Sequence, residues 1–225
     1  MVSAVIVAAG MGKRFGPGRD KLFLEAAGRP VVAHTWCRFD AAPCIDEVVV
    51  VIRPGMEGVF NDIAAVLGLT KPWRLALGGA ERQDSVWNGL QATSRTAGVV
   101  AIQDGARPCT APDVIADTVR AAAETGAAVA AQRVTDTIKQ SADGRMIDRT
   151  VDRSLLWAVQ TPQAFRREVI LRALEEVRRR GLQVTDDTAA CELIGQAVRL
   201  VESRSPNPKV TYPGDVPYIE QLLGS

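Results

Sequence analysis

The sequence predicts an α/β domain in which helices cover both faces of a mostly parallel, twisted sheet. Short runs rich in valine, isoleucine and alanine alternate with longer segments whose composition suits helices. Continuous apolar runs are typical of parallel strands, because such strands are buried on both faces. The first four runs lie at residues 4–8, 47–52, 73–77 and 99–103. This alternation predicts a single Rossmann-like sheet.

The segments between these runs are predicted as helices, because parallel strands need a crossover connection. Pro30 stands at the start of the first one, where the fixed φ of proline suits a helix. The helices of this first part are predicted at residues 30–39, 56–67, 81–93 and 113–125.

A hairpin is predicted where the strand and helix alternation ends. Two alternating runs, 136–139 and 146–151, flank the turn residues Asp143 and Gly144, and Asp-Gly between such runs favours a β-hairpin. Many of its side chains are polar, so we expect an arm, about residues 134–154, that projects from the core and pairs with a second copy of the chain. A solvated ribbon on a monomer is the alternative.

The rest of the chain continues the α/β pattern within the same domain, which spans residues 1–225. Gly181 is a natural residue to end a helix, and Thr185-Asp186-Asp187 resembles an N-cap cluster that opens the next one. Further helices are predicted at 167–180, 188–194 and 213–223, and further strands at 129–134 and 198–202.

Composition limits the functions open to the chain. Its 225 residues are 47% hydrophobic and carry a net charge of +1, which suits one sizeable core. A near-neutral balance gives no electrostatic footprint for nucleic acid or an anionic membrane. Any function that needs cations must therefore depend on a local cluster.

The four cysteines and the single histidine do not form a common zinc-binding pattern, since no Cys-x-x-Cys pair occurs. We expect reduced thiols in a cytoplasmic protein. No basic segment precedes the first apolar run, and no apolar stretch approaches about 20 residues, so neither a signal peptide nor a membrane span is expected.

The segment 8–21, AAGMGKRFGPGRDK, is the most informative part of the chain. It follows the first predicted strand and holds four glycines and four cations. Glycines let the backbone turn tightly and approach a ligand closely, and cations beside such a turn suit a polyphosphate. The segment therefore predicts a nucleotide site.

Two familiar nucleotide motifs do not fit this segment. The spacing of its glycines is not that of a Walker loop, and Phe15 stands where the dinucleotide pattern GxGxxG needs glycine. Arg53, rather than an acid, follows the second strand, and no Tyr-x-x-x-Lys pair occurs. The features that are left, Arg14 and Lys21 after a glycine turn, suit a triphosphate.

The segment resembles the signature of the sugar nucleotidyltransferases, which is roughly Ala-Ala-Gly-x-Gly-x-Arg followed by Pro-Lys. Residues 8–14 match the first part, whereas Asp20 replaces the proline before Lys21. The other matching blocks are QDGARP (103–108), TDTIK (135–139), VDR (151–153), LW (156–157), QTPQAF (160–165), TDD (185–187) and NPKVT (207–211). In this order they resemble the 2-C-methyl-D-erythritol 4-phosphate cytidylyltransferase family over about residues 2–223.

The resemblance implies a reaction, a metal ion and an assembly. CTP and 2-C-methyl-D-erythritol 4-phosphate would give the CDP-linked alcohol and diphosphate, with Mg²⁺, in a homodimer formed through the arm. The acceptor phosphate is already ionised near pH 7, so no protein nucleophile or base is needed. Catalysis would depend on positioning and electrostatic stabilisation.

The resemblance also assigns roles to single residues. Arg14, Lys21, Arg153 and Lys209 would be catalytic, and Asp104 is the candidate metal ligand, with a structural turn cap as its alternative. The nucleotide would be bound by Ala8, Ala9, Gly10, Gly12, Arg14, Lys21, Gly79, Ser85, Asp104 and Lys209. The acceptor would be bound by Asp104, Arg107, Thr137, Arg153, Thr185 and Lys209, with Thr137 and Arg153 reaching the neighbouring subunit's site. Ala80 replaces an aspartate of the family.

Two other functions stay open at this point. A cytidylyltransferase for another polyol phosphate, such as ribitol 5-phosphate, would share the same blocks. A nucleotide-binding protein without activity is the alternative of a different class. Some members of the family are fused to a cyclase domain, whereas this sequence ends at Ser225, so we expect a single-function protein.

Overall fold

The structure is a computed structural model that describes residues 1–10 and 20–224. The strands of these ranges are β1 (Val2–Val7), β2 (Glu25–Ala26), β3 (Arg29–Pro30), β4 (Glu47–Ile52), β5 (Trp73–Leu77), β6 (Val99–Asp104), β7 (Ala127–Arg133), β8 (Lys139–Gln140), β9 (Arg149–Thr150), β10 (Trp157–Arg166) and β11 (Arg199–Glu202). The helices are α1 (Val31–Ala41), α2 (Glu57–Leu67), α3 (Arg82–Ala92), α4 (Pro112–Thr125), α5 (Arg167–Arg180), α6 (Asp187–Leu193) and α7 (Val216–Leu223).

Seven of these described strands form one sheet in the order β11-β7-β10-β6-β1-β4-β5. The β1–β4, β1–β6, β4–β5 and β7–β11 pairs are parallel, whereas β10 is antiparallel to both β6 and β7. The chain builds outwards from β1 through β4 to β5 and then crosses to the other side of β1 with β6. Such a reversal leaves a crevice at the carboxyl ends of β1 and β6, where open α/β sheets bind ligands.

Helices pack against both faces of the sheet, and the strand residues alternate between two apolar cores. Ala4 and Ile6 of β1 face the core that also receives α1, α2, α4 and α7, while Val5 faces the core that receives α3, α5 and α6. Val48 and Val49 of β4 divide in the same way. The predicted fold class, a mostly parallel sheet covered on both sides, is therefore confirmed.

Strand β10 is the largest element that the sequence pattern did not predict. Its middle part carries Gln160, Thr161, Pro162 and Gln163, and proline and glutamine argue against a central strand. Its pairing with β7 shifts register between Val159 and Gln163. The polar side chains are nevertheless buried, because they bind the loops of the candidate site.

The predicted hairpin is present but has a shorter ladder than expected, with only two residues in each of β8 and β9. Gly144 adopts a φ of 70° in the turn. The Asp143 carboxylate accepts the backbone N–H groups of Arg145 and Met146 at 2.8 and 2.9 Å. Residues 141–150 are all exposed, so the hairpin has no apolar face against the core that would extend its pairing.

The ends of the later helices follow the local sequence. Gly181 has a φ of 62° at the end of α5, and the Asp186 carboxylate caps α6 by accepting the Ala189 N–H at 2.9 Å. The last predicted helix starts as a short 3-10 turn, Pro213–Asp215, before α7. Within residues 1–10 and 20–224, none of the helices has the length and apolar character needed to cross a membrane.

Gly89 in α3 gives a test of how tightly this helix packs on the sheet, and Gly58 in α2 provides a control. A Cβ added at Gly89 would lie 2.5 Å from Val5 Cγ1 and 2.7 Å from Val51 Cγ2, so Gly89→Ala should lower the free energy of unfolding by about 1–3 kcal/mol. The control is Gly58→Ala in the first turn of α2, where an added Cβ would meet no atom within 4 Å beyond the adjacent backbone of its own helix. This substitution should raise the free energy of unfolding by about 0.5 kcal/mol. Urea unfolding measures both, and equal effects would contradict this packing.

Candidate active site

A cavity of about 680 Å³ lies at the carboxyl edge of the sheet, over the ends of β1, β4, β5 and β6. Its volume falls within the range of about 300–1,000 Å³ that is typical of small-molecule sites. Among the residues that the structure describes, the charged ones that line it are four cations and two acids, namely Lys21, Arg53, Arg82, Lys209, Glu81 and Asp104. This excess of positive charge suits an anionic ligand.

Most of the predicted nucleotide-binding residues that the structure describes line this one cavity. They are Ala9, Gly10, Lys21, Gly79, Ser85, Asp104 and Lys209. Ala8 does not line it; this residue is buried beside the cavity, and its N–H donates to the Val51 carbonyl at 2.8 Å. Gly12 and Arg14 lie outside the described residues.

The glycine pair after β5 lets the chain approach β1 and α3 closely. A Cβ at Gly78 would lie 2.4 Å from the Ala9 Cβ, and one at Gly79 would lie 2.3 Å from the Asp84 Cβ. The Gly79 N–H donates to the Ser85 hydroxyl at 3.1 Å, and that hydroxyl donates to the Glu81 carbonyl at 3.2 Å. Ser85 therefore fixes the turn that faces the cavity.

The carboxylate of Asp104 lies among three cations at the cavity. Asp104 ends β6, and its carboxylate lies 2.7 Å from Lys209 Nζ, 3.6 Å from Arg82 Nε and 3.8 Å from Arg107 Nε. Burial alone would raise the pKa of this carboxyl. Lys209, then Arg82 and Arg107, outweigh that effect and lower the pKa to about 2, so the group stays ionised.

Arg82 and Asp187 are site residues that the sequence analysis missed. Arg82 begins α3 and lines the cavity, and its Nη2 lies 2.8 Å from the fully buried Asp187 carboxylate. Burial raises the pKa of Asp187, and the positive charge of Arg82 offsets this only in part. From the sequence, Asp187 is predicted to belong to an N-cap cluster, whereas in the structure the cap of α6 is Asp186. The one sequence signal for these two site residues is the position of Arg82, a cation shortly after the glycine pair.

Polar residues of β10 hold the loops that carry the other site residues. Gln163 donates to the Asp186 carboxylate at 2.9 Å and accepts the Asp187 N–H at 3.1 Å. Asn207, two residues before Lys209, donates to the Thr161 carbonyl at 2.8 Å. The antiparallel strand therefore places two distant segments of the chain beside Asp104.

The predicted acceptor-binding residues divide into two groups. Arg107 approaches Asp104 and donates to the Asn207 carbonyl at 2.6 Å. Thr185 is exposed on the loop before α6, and Thr137 and Arg153 are exposed on the arm. Arg153 donates to the Thr135 carbonyl. These three exposed residues do not line the 680 Å³ cavity.

The carboxylates of the cavity limit how a metal ion can bind. In residues 1–10 and 20–224, no group of three or more His, Cys, Asp or Glu side chains is placed to hold a metal ion. Mg²⁺ commonly takes only one or two carboxylates and completes its shell with substrate phosphates and water. The ionised carboxylate of Asp104 fits that type of site.

Comparisons with known proteins agree over the whole chain. Residues 2–225 match the family model described as 2-C-methyl-D-erythritol 4-phosphate cytidylyltransferase. A protein of this name from Pelotomaculum thermopropionicum is 41% identical over 99% of this chain and 94% of its own length. Another, from Geobacillus thermodenitrificans, is 41% identical over 99% of this chain and 96% of its own.

Solved structures of relatives have the same fold. The structure of the cytidylyltransferase from Thermus thermophilus superposes with a TM-score of 0.82 at 31% identity and covers all of both chains. That of the 4-diphosphocytidyl-2C-methyl-D-erythritol synthase from Anaerococcus prevotii has a TM-score of 0.87 at 28% identity, over 100% of this chain and 96% of its own. The chain therefore belongs to the 2-C-methyl-D-erythritol 4-phosphate cytidylyltransferase family.

Proposed function

We propose that this protein transfers the cytidylyl group of CTP to 2-C-methyl-D-erythritol 4-phosphate and releases diphosphate. A phosphate oxygen of the acceptor forms a bond to the α-phosphorus of CTP, and the bond between that phosphorus and the oxygen bridging to the β-phosphate breaks. The observation that carries the proposal is the cavity that brings the glycine-rich strand end, Lys21, Asp104 and Lys209 together, in a chain of this family.

The charges of the cavity suit this chemistry. Nucleotidyl transfer concentrates negative charge on the oxygens around the α-phosphorus, and fixed cations stabilise that charge without moving during the reaction. Lys21 and Lys209 line the cavity and would hold the phosphates. The acceptor phosphate is its own nucleophile, so the protein needs only to align the two substrates.

Different groups of this cavity would bind the base and the metal ion. Backbone groups at Ala9, Gly10 and Gly79 can form hydrogen bonds with the base. The Asp104 carboxylate can accept a hydrogen bond from a hydroxyl of the ribose or of the acceptor. Asp104 would also hold Mg²⁺ together with the triphosphate; the ion, when bound, neutralises the phosphate charge. Ala80 places only a methyl group at the cavity where the family pattern has a carboxylate.

We also propose that the arm forms a homodimer and delivers Thr137 and Arg153 to the partner subunit's site. Three large apolar side chains on the arm or directly beside it are exposed, which would suit an interaction surface if they form a patch. Met146, Ile147 and Leu155 are 72%, 64% and 79% exposed. Sedimentation velocity tests this assembly, because the intact chain should run as a dimer and a Met146→Asp, Leu155→Asp variant as a monomer.

The proposed reaction is tested by the release of diphosphate. It should require CTP and 2-C-methyl-D-erythritol 4-phosphate together, and a parallel assay with ribitol 5-phosphate should give a far lower kcat/KM. Equal use of both acceptors would make this a polyol phosphate cytidylyltransferase of broader specificity. CTP binding without release of diphosphate with any acceptor would indicate a nucleotide-binding protein instead.

Replacement of Lys21 should slow the chemical step. The variant Lys21→Ala loses a cation beside the triphosphate, so kcat should fall about 100- to 1,000-fold, as for a lost electrostatic contact to a transition state. The control Arg120→Ala removes an exposed cation on α4 and should leave kcat unchanged. A Lys21→Ala enzyme with normal turnover would refute this role.

Replacement of Arg153 should affect the two substrates differently. Arg153→Ala should raise KM for the acceptor much more than KM for CTP, because the arm would contact the acceptor phosphate. Steady-state kinetics with each substrate varied in turn gives both values. Equal increases would show that Arg153 does not bind the acceptor phosphate.

The ionised state of Asp104 should appear in the stability of the protein at low pH. Its pKa is lowered from 3.8 to about 2 in the folded chain, so its favourable contribution is complete above pH 3.8 and is lost as the pH falls through about 2. Urea unfolding at several pH values should therefore show the difference between the wild type and Asp104→Asn shrinking over that window. A constant difference would contradict the lowered pKa.

A further inference from the structure

The side chain of Arg53 contacts two residues of the glycine-rich segment 8–21, one near its start and one near its end. Arg53 follows β4 directly, and its Nη1 donates to the Gly10 carbonyl at 3.1 Å. Its Nη2 lies 2.5 Å from Asp20 Oδ2. Gly10 and Asp20 are the residues on either side of residues 11–19, so the guanidinium of Arg53 links the entry and the exit of that segment.

The carboxylate of Asp20 is held at both oxygens. While Oδ2 pairs with Arg53, Oδ1 accepts the Leu22 N–H at 3.0 Å and caps a 3-10 turn, Lys21–Phe23. The side chains of Asp20 and Arg53 are only 16% and 24% exposed, so water screens this pair less than it screens an exposed pair. The turn that Asp20 caps begins with Lys21, which lines the cavity together with Gly10 and Arg53.

This contact involves the position where the sequence departs from the family pattern, which has proline before the lysine. Asp20 has a φ of −108°, whereas a proline ring holds φ near about −65°. The backbone at Asp20 is therefore not the one that a proline would impose. A side-chain ion pair, rather than a ring, restrains the chain before Lys21.

We propose that Arg53 and Asp20 are positioning residues of the nucleotide site, which together hold Gly10 and Lys21 for binding of CTP. This inference rests on the proposed function. A guanidinium suits the task because its planar fork can donate to two acceptors at once. Neither residue needs to touch the nucleotide for the pair to act in this way.

A competing role for Arg53 predicts an opposite effect of one substitution. If Arg53 bound the triphosphate directly, Asp20 would compete for the same cation, and Asp20→Asn would strengthen CTP binding. If instead the pair positions Gly10 and Lys21, Asp20→Asn should weaken CTP binding. Asparagine keeps the size of the side chain and the oxygen that caps Leu22, so this substitution removes the charge and little else.

Calorimetric titration of CTP into the whole protein measures this effect without the acceptor. Asp20→Asn should raise Kd for CTP roughly 3- to 10-fold, the difference between a charge-assisted and a neutral hydrogen bond. Arg53→Gln should raise it at least as much, and adding Asp20→Asn to that variant should cause no further loss, because the contact is already broken. Arg53→Lys, which keeps the charge but not the fork, should give a partial loss.

Arg74→Gln is the matched control. Arg74 pairs with Glu47 at the opposite end of β4, at 3.1 Å, so its loss breaks an ion pair of the same strand away from the cavity. It should leave Kd for CTP unchanged. KM for the acceptor should also stay unchanged in Asp20→Asn, which separates a positioning role from a general loss of structure.

Each other outcome overturns a defined claim. Unchanged or tighter CTP binding by Asp20→Asn would refute the positioning role, as would equal losses with CTP and acceptor or additive losses in the double variant. If the wild type binds CTP but releases no diphosphate with any acceptor, the proposed reaction fails while the binding data still decide the role of the pair. Absence of CTP binding by the wild type would reject both.

Discussion

A carboxylate stays ionised inside a protein only if cations or hydrogen-bond donors replace the water that it loses on burial, and Asp104 meets this requirement with three cations at the carboxyl edge of the sheet. The three cations that meet it, Arg82, Arg107 and Lys209, come from α3, from the loop after β6 and from the segment after β11. These segments are far apart in sequence. Their common counter-charge brings them together, so the electrostatics of the site and its shape have the same origin.

Arg82 extends this charge network to a second buried carboxylate, Asp187, at the start of α6. The neighbouring Asp186 is bound by Gln163 of β10, and Thr161 of the same strand accepts the N–H of Asp104 at 3.1 Å. Buried polar groups need such partners, because an unpaired one costs free energy. The polar part of β10 is therefore a structural support of the site rather than a weak point of the sheet.

The sequence alone predicts most of the fold, because its strongest pattern is the continuous apolar run of a strand buried on both faces. Runs such as 47–52 and 99–103 stand out without any tertiary information, and so do helix ends marked by Gly181 or Asp186. Strand β10 was missed because its burial depends on partners such as Asn207 that are close only in the folded chain. The spacing of apolar residues along the sequence, with a period of two for strands or 3.6 for helices, cannot reveal such long-range contacts.

The same distinction applies to the site. Ala9, Gly10, Lys21, Gly79, Ser85, Asp104 and Lys209 could be placed in one cavity from motifs, because the resemblance to the family ties them to one ligand. Motifs could not place three other residues in the site, namely Arg82, Arg53 and Asp187. The role of each depends on an ion pair between residues that are at least 22 positions apart in the sequence, as in Arg82–Asp104. Isolated arginines and aspartates in a sequence are usually surface charges. Apart from the position of Arg82 shortly after the glycine pair, only the contacts distinguish these three residues.

The antiparallel direction of β10 has a topological consequence for the arm. Since β7 and β10 run in opposite directions and pair at Arg133 and Trp157, the chain leaves and re-enters the sheet at the same edge, the one that carries the cavity. Changes in the length or sequence of the arm thus alter what is presented at that edge while the register of the sheet is preserved. The fold thereby lets the exposed surface of the arm diverge independently of the nucleotide cavity.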